Sequence, residues 1–68
     1  MKEFELNTEY IELIKLLKLL RLVESGGQAK LAVEDGLVTV NGQTELRKRA
    51  KLRKGDQIQF DGLQILIK

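Results

Sequence analysis

No cysteine and no histidine occur in the sequence. The first absence excludes a disulfide framework and a thiolate metal site. The second removes the commonest general base and the commonest metal ligand together. Proline is also missing, no Pro/Ser-rich linker or internal repeat appears, and no domain boundary is visible. Aromatic side chains are scarce: Phe4, Tyr10 and Phe60 are the only ones. Phe4 and Phe60 fall in alternating segments, where they read as core, and none of the three lies in the chain's basic stretch. The sequence alone therefore offers no aromatic platform for stacking bases. Long apolar runs are absent too. Ile11 to Val23 is interrupted by Glu12, Lys15, Lys18 and Arg21, too short and too charged to span a bilayer. The amino terminus has no apolar signal-peptide core, so a cytoplasmic location is expected. No nucleophile–base pair, P-loop or metal cluster is present. Glu34-Asp35 sits at a helix end, a poor place for an acid–base pair. Catalysis, a cofactor and a small-molecule substrate are not expected.

What the chain has is concentrated positive charge. Residues 47 to 54 hold six of its twelve basic residues and no acid. The preceding 46 residues carry five basic and eight acidic side chains, net −3; the last 14 carry one and two, net −1. The overall charge of +2 hides this asymmetry. Packed positive charge repels itself, and a polyanion offsets the repulsion, so nucleic acid is the first partner to consider. Arg47, Lys48, Arg49 and Lys51 are the main candidate phosphate donors, with Arg53 and Lys54 beside them. Arg suits bidentate contact, and Lys acts as a compact charge. Leu52 reads as an anchor tucking the stretch against the core.

Sixty-eight residues make one small domain, 1–68, with a single core, and 43% apolar content suits a folded chain. Phe4-Glu5-Leu6 alternates as a short strand. Asn7-Thr8 is placed to cap an amphipathic helix over 9–22. Ser25 and Gln28 form a capping box for a second helix, from Gln28 to about Glu34, with Ala29, Leu31, Ala32 and Val33 available for burial. Gly36 suits its C-terminal left-handed position. Leu37 to Val40 is a strand. Asn41-Gly42 and Asp61-Gly62 are two-residue hairpin turns, and Gly55-Asp56 is a further turn. Gln57 to Phe60 and Leu63 to Ile67 complete the series. This order predicts an α+β fold: two short helices beside a small antiparallel sheet of four to five strands.

The ordered series Leu22-Val23, Ser25, Ala29, Gly36, Val38-Thr39-Val40-Asn41-Gly42 and Gly55-Asp56-Gln57-Ile58 resembles a known small RNA-binding domain. It was first described in the fourth protein of the ribosomal small subunit and is called the alpha-L motif. The resemblance covers about residues 11 to 67. Ser25-Gly26-Gly27-Gln28-Ala29-Lys30 and the basic stretch look most like the free-standing YbcJ/YaaA-like bacterial members, which consist of the domain alone. The resemblance implies structured RNA, in particular ribosomal RNA, as partner and a ribosome-associated or assembly role in a bacterial cytoplasm; the chain is expected to be a monomer. It also raises Ser25, Gly26 and Gly27 as an anion site at a helix start, supported by Lys30. Three positions depart from the wider pattern. Glu12-Leu13-Ile14 stands where many members read Arg-Leu-Asp, Gly26 where many have Arg, and Arg21 where Gly is usual. The alternatives are an adaptor whose basic stretch meets an acidic protein, and a duplex-DNA binder. The second is disfavoured because neither helix carries a row of base-reading side chains.

Overall fold

The computed structural model describes all residues from Met1 to Lys68. In chain order, the elements are β1 (Lys2–Phe4), β2 (Ile11–Glu12), α1 (Leu13–Leu19), α2 (Gly26–Glu34) and β3 (Val38–Val40). Then come β4 (Gln43–Thr44), β5 (Lys51–Leu52), β6 (Gln57–Phe60) and β7 (Leu63–Ile67). Five strands form one sheet in the order β1-β7-β6-β3-β4, and β2 and β5 form a separate two-stranded ribbon. The α+β expectation holds, with one correction: the sheet is mixed. β1 runs parallel to β7, with Lys2 opposite Ile65 and Phe4 opposite Ile67. The other pairs are antiparallel. The two helices lie between β1 and the rest, so the chain returns to the sheet edge by a crossover, which permits parallel pairing.

Both two-residue turns form as the sequence predicts. Asn41 and Gly42 have φ of 52° and 84°, Asp61 and Gly62 have 53° and 79°, and both residues of a type I′ turn require positive φ. The first turn is also tied to the Gly55-Asp56 turn. Asn41 Nδ2 donates to Asp56 Oδ1 at 3.0 Å, and Asn41 Oδ1 accepts from the Gln57 N–H at 2.9 Å. Asp56 Oδ2 accepts from the Arg53 N–H at 2.8 Å. Two short motifs fifteen residues apart are thus one hydrogen-bonded unit.

The helices differ from the expected spans. α1 begins at Leu13, not residue 9, and Asn7-Thr8 does not cap it; Glu12 is the N-cap and makes no side-chain cap bond. Ile11 instead pairs with Leu52, and Glu12 with Lys51. A short apolar run cannot distinguish helix from strand by periodicity alone, and the buried, β-branched Ile11 suits either. α2 begins at Gly26 with Ser25 as N-cap, and Ser25 Oγ accepts from the Gln28 N–H at 3.1 Å. The Gln28 side chain reaches one residue further back than a capping box requires, accepting from the Glu24 N–H. Leu31 is 60% exposed, not buried.

Both helices end in the same double bond pattern. In α1 the Arg21 N–H donates to Lys18 O and the Leu22 N–H to Leu17 O; in α2 Gly36 donates to Val33 O and Leu37 to Ala32 O. These are Schellman motifs, and each needs a left-handed residue. Gly36 supplies it at φ 75°, but Arg21 adopts it at φ 56°.

The core is wholly apolar. Leu13, Leu16, Leu17, Val33, Val38, Leu52, Ile58, Ile65 and Ile67 are almost completely enclosed, and no polar or charged residue is buried. Phe4 and Phe60 are only partly buried, packed against this cluster. No helix is long and apolar enough to cross a membrane. The contrast between the two helix ends is measurable by urea unfolding. Arg21→Gly is expected to stabilise by about 0.5–1 kcal/mol, the relieved left-handed strain less the added chain entropy. Gly36→Ala, whose Cβ would meet nothing closer than Thr44 Cγ2 at 3.7 Å, is expected to destabilise by about 1 kcal/mol through backbone strain alone.

Candidate nucleic-acid interface

The basic stretch is docked, not loose. Ala50 and Leu52 point inward and are 5% and 1% exposed, while Arg49, Lys51 and Arg53 alternate with them and stay exposed. This is strand alternation with the period-two spacing of a half-buried ribbon. Leu52 is the anchor expected, and Ala50 is a second one that the sequence reading left unassigned. The backbone also binds α1: the Leu13 N–H donates to Ala50 O at 2.9 Å, and the Ile14 N–H to Lys48 O at 3.2 Å. The first N–H groups of a helix have no partner within it. Here carbonyls of the basic stretch supply two, in place of a side-chain cap.

The six basic side chains have different surroundings. Arg47 donates from Nε to Glu45 Oε2 and from Nη2 to Glu45 Oε1, both at 3.0 Å. The Arg47 backbone N–H donates to Glu45 Oε2 as well. The guanidinium is 80% exposed, so its remaining N–H groups face solvent in a fixed fork. Lys48 Nζ pairs with Glu34 Oε2 at 2.9 Å, at the far end of α2. Arg53 reaches Glu9 at a longer 3.5 Å. Lys51 Nζ lies 4.8 Å from the centre of the Tyr10 ring, and the Arg53 guanidinium 5.8 Å from it. Arg49 and Lys54 make no ion pair. Arg47, Arg49 and Lys51 surround one shallow groove floored by Ala50. Lys54 stands apart, facing a concavity shared with Asn7, Thr8 and Lys68.

Ser25, Gly26 and Gly27 do not adjoin this groove. Glu34, which holds Lys48, is eight residues beyond Gly26, and at about 1.5 Å per residue that is roughly 12 Å along α2. The start of α2 lies instead beside α1: a Cβ on Gly26 would stand 3.9 Å from Lys18 Cδ. Ser25 Oγ is occupied by the Gln28 N–H, while the N–H groups of Gly26 and Gly27 have no acceptor within the chain. Gly26, Lys30 and Glu34 recur every four residues, so Lys30 shares the stripe that joins the helix start to Lys48. Lys15 and Lys18 flank the same region, lining a groove with Glu12, Ile14 and Gly26. Sequence reasoning treated both lysines as the wet side of an amphipathic helix. Their spacing of three was the available signal. Tyr10 was missed for another reason: it precedes the basic stretch by some forty residues and meets it only through the β2–β5 ribbon.

A family model described as S4 domain matches residues 4–68. YbcJ of Escherichia coli (strain K12) is 43% identical over 58 residues, covering 85% of this chain and 83% of the relative. YbcJ of Shigella flexneri matches to the same extent. The solution structure of E. coli YbcJ, described as revealing an alphaL motif involved in RNA-binding, is similar with a TM-score of 0.75 at 41% identity. That similarity covers 98% of this chain and 86% of the other.

The Glu45–Arg47 pair has a pH signature. The Arg47 side-chain hydrogen bonds, foremost, hold the Glu45 carboxyl below its ordinary range, against a smaller opposing effect of burial. A carboxylate depressed in the folded state adds stability above its unfolded pKa and loses it as pH falls through the folded one. Chemical denaturation of the native chain between pH 6 and pH 3 is therefore expected to show an acid-side loss that Glu45→Gln reduces, a modest effect because the Arg47 partner is 80% exposed and screened by solvent.

Proposed function

The chain belongs to the S4 domain family, and from that membership we propose that it is a non-enzymatic, cytoplasmic RNA-binding protein. Its 68 residues act as one domain and a monomer, holding structured RNA, in particular ribosomal RNA, in a ribosome-associated or assembly role. The observation that carries the reading is the anchored basic ribbon. Arg47, Arg49 and Lys51 face one groove on a backbone fixed by Ala50, Leu52 and two bonds to α1. Charges carried on an anchored backbone lose less backbone freedom on binding than charges on a mobile loop, so more of the phosphate attraction is retained as affinity. The RNA-binding description given for the E. coli YbcJ structure supports the same reading.

Lys48, Arg53 and Lys54 extend the contact on either side of the groove. Lys30, with the free N–H groups of Gly26 and Gly27 and the Ser25 cap, forms a separate contact for a second phosphate segment about 12 Å away along α2. Lys15 and Lys18 bridge the two. Surfaces that present charge at fixed spacing and few base-reading groups recognise backbone shape more than sequence.

Titration of a structured ribosomal RNA fragment at increasing salt tests this. With four to six phosphates neutralised, log affinity is expected to fall against log salt with a slope of about −3 to −5, and a flat response overturns the reading. Charge reversal at Arg47 and Arg49 is expected to weaken binding and flatten that slope. Partners recovered with the chain are expected to disappear on ribonuclease treatment; partners that survive favour the protein-adaptor alternative. Sequencing of RNA crosslinked to the chain identifies the transcript.

A further inference from the structure

Tyr10 is the only tyrosine, no tryptophan is present, and neither phenylalanine is fully exposed. Tyr10 is 37% exposed and extends the outer face of the β2–β5 ribbon, the face that also carries Glu12, Lys51 and Arg53. Lys51 lies over the ring, and Arg53 stands just beyond it. Both are cation–π contacts, in which the ring's electron-rich face attracts the cations, and the ring's position beside the basic groove is set by strand pairing. The same ring forms a wall of a cleft of about 490 Å³ lined by Asn7, Thr8, Tyr10, Glu12, Lys15 and Leu19. That volume falls within the range of small-ligand clefts.

The cleft has two chemical characters. Tyr10 and Leu19 offer apolar surface, and Leu19 is 55% exposed there with nothing covering it. The Glu9 and Glu12 carboxylates and the Asn7 amide stand around the rim. Carboxylates repel a phosphate but accept hydrogen bonds from an exocyclic amino group, and an Asn amide can pair with adenine. Thr8 Oγ1 donates to Tyr10 O at 2.8 Å, which fixes the wall and leaves the hydroxyl oxygen as another acceptor. Acceptors and cations stand close together around the ring, with Arg53 3.5 Å from Glu9 and Lys15 lining the cleft, so an amino-bearing base on the ring has carboxylates beside it and cations near for its phosphate.

We propose that the cleft beside Tyr10 takes one unpaired adenine or cytosine of the bound RNA, stacked on the Tyr10 ring, with its phosphate on Lys51 and Arg53. This deepens the RNA-binding reading and rests on it. It assigns the chain a preference for structured RNA with a single-stranded base next to the helix, and discrimination against uracil, which presents carbonyl oxygen where the rim carries carboxylates. Stacking tolerates any base, so the preference comes from the rim, while the ring supplies affinity.

The experiment uses the native chain, Tyr10→Phe and Tyr10→Ala with two RNA hairpins, one blunt and one with a short adenosine overhang. The native chain is expected to bind the overhang hairpin more tightly than the blunt one. Tyr10→Ala is expected to lose roughly 5- to 150-fold affinity for the overhang hairpin and little for the blunt one, while Tyr10→Phe keeps the difference. Emission of the single tyrosine is expected to be quenched by oligoadenylate and oligocytidylate but not by oligouridylate or polyphosphate. Salt-sensitive binding of both hairpins with no overhang advantage, equal losses on both hairpins in Tyr10→Ala, or equal quenching by oligouridylate overturns the proposal and leaves the RNA-binding reading intact. Failure of the native chain to bind either hairpin overturns both.

Discussion

The Leu13 and Ile14 N–H groups would be orphans in any isolated version of the first helix. The chain gives them the carbonyls of Ala50 and Lys48, which come from the middle of its most highly charged segment. One interaction therefore starts α1, closes the β2–β5 ribbon and fixes the spacing of the basic side chains. The arrangement carries an electrostatic cost, because it sets a cluster of cations against the positive end of a helix dipole. Glu45, Glu34 and Glu9 relieve part of it, each taken from a segment outside the basic stretch. The cations of these pairs are open to solvent, so each pair is individually weak, and phosphates can replace the carboxylates without dismantling the apolar core.

The interior contributes by having no polar demands. No ionisable side chain is buried, so the core imposes shape and leaves charge to the surface. Ala50 and Leu52 are where the two meet: they are core residues inside the basic segment. The Asn41–Asp56 hydrogen bond does comparable work on the sheet side, holding the turn that follows β5 against the β3–β4 hairpin. Between these attachments the segment has little freedom to change the direction in which Arg49 and Lys51 point.

Much of this was legible in the sequence, because the signals were local. Positive φ at Asn-Gly and Asp-Gly, a Ser N-cap, a Gly at a helix end and alternating apolar residues each have one dominant structural meaning. Leu52 could be identified as an anchor because it is apolar within a charged run. What escaped was long-range. Ile11 and Glu12 sit in a helical-looking pattern, and only pairing with Leu52 and Lys51 makes them a strand. β1 joins the sheet in parallel, and that edge depends on where the helices carry the chain. Tyr10 lies next to Lys51 by the same ribbon pairing, and the roughly 12 Å between the start of α2 and the Lys48 contact follows from helix length and packing together. Arg21 was recognised as standing where glycine is usual, but its left-handed backbone shows only in the folded chain.

Alternation along the ribbon also bears on survival in a cell. A protease that cuts after lysine or arginine would find its richest target between residues 47 and 54. Such enzymes need several consecutive residues to leave the fold and lie extended in their own cleft. Here Ala50 and Leu52 are held in the core, and the Lys48 and Ala50 carbonyls are engaged by a helix. Exposing the segment means opening the ribbon and unwinding the start of α1, a partial unfolding of the protein rather than a loop fluctuation. The chain can keep six scissile positions at its surface because cleaving them first requires breaking up its own core.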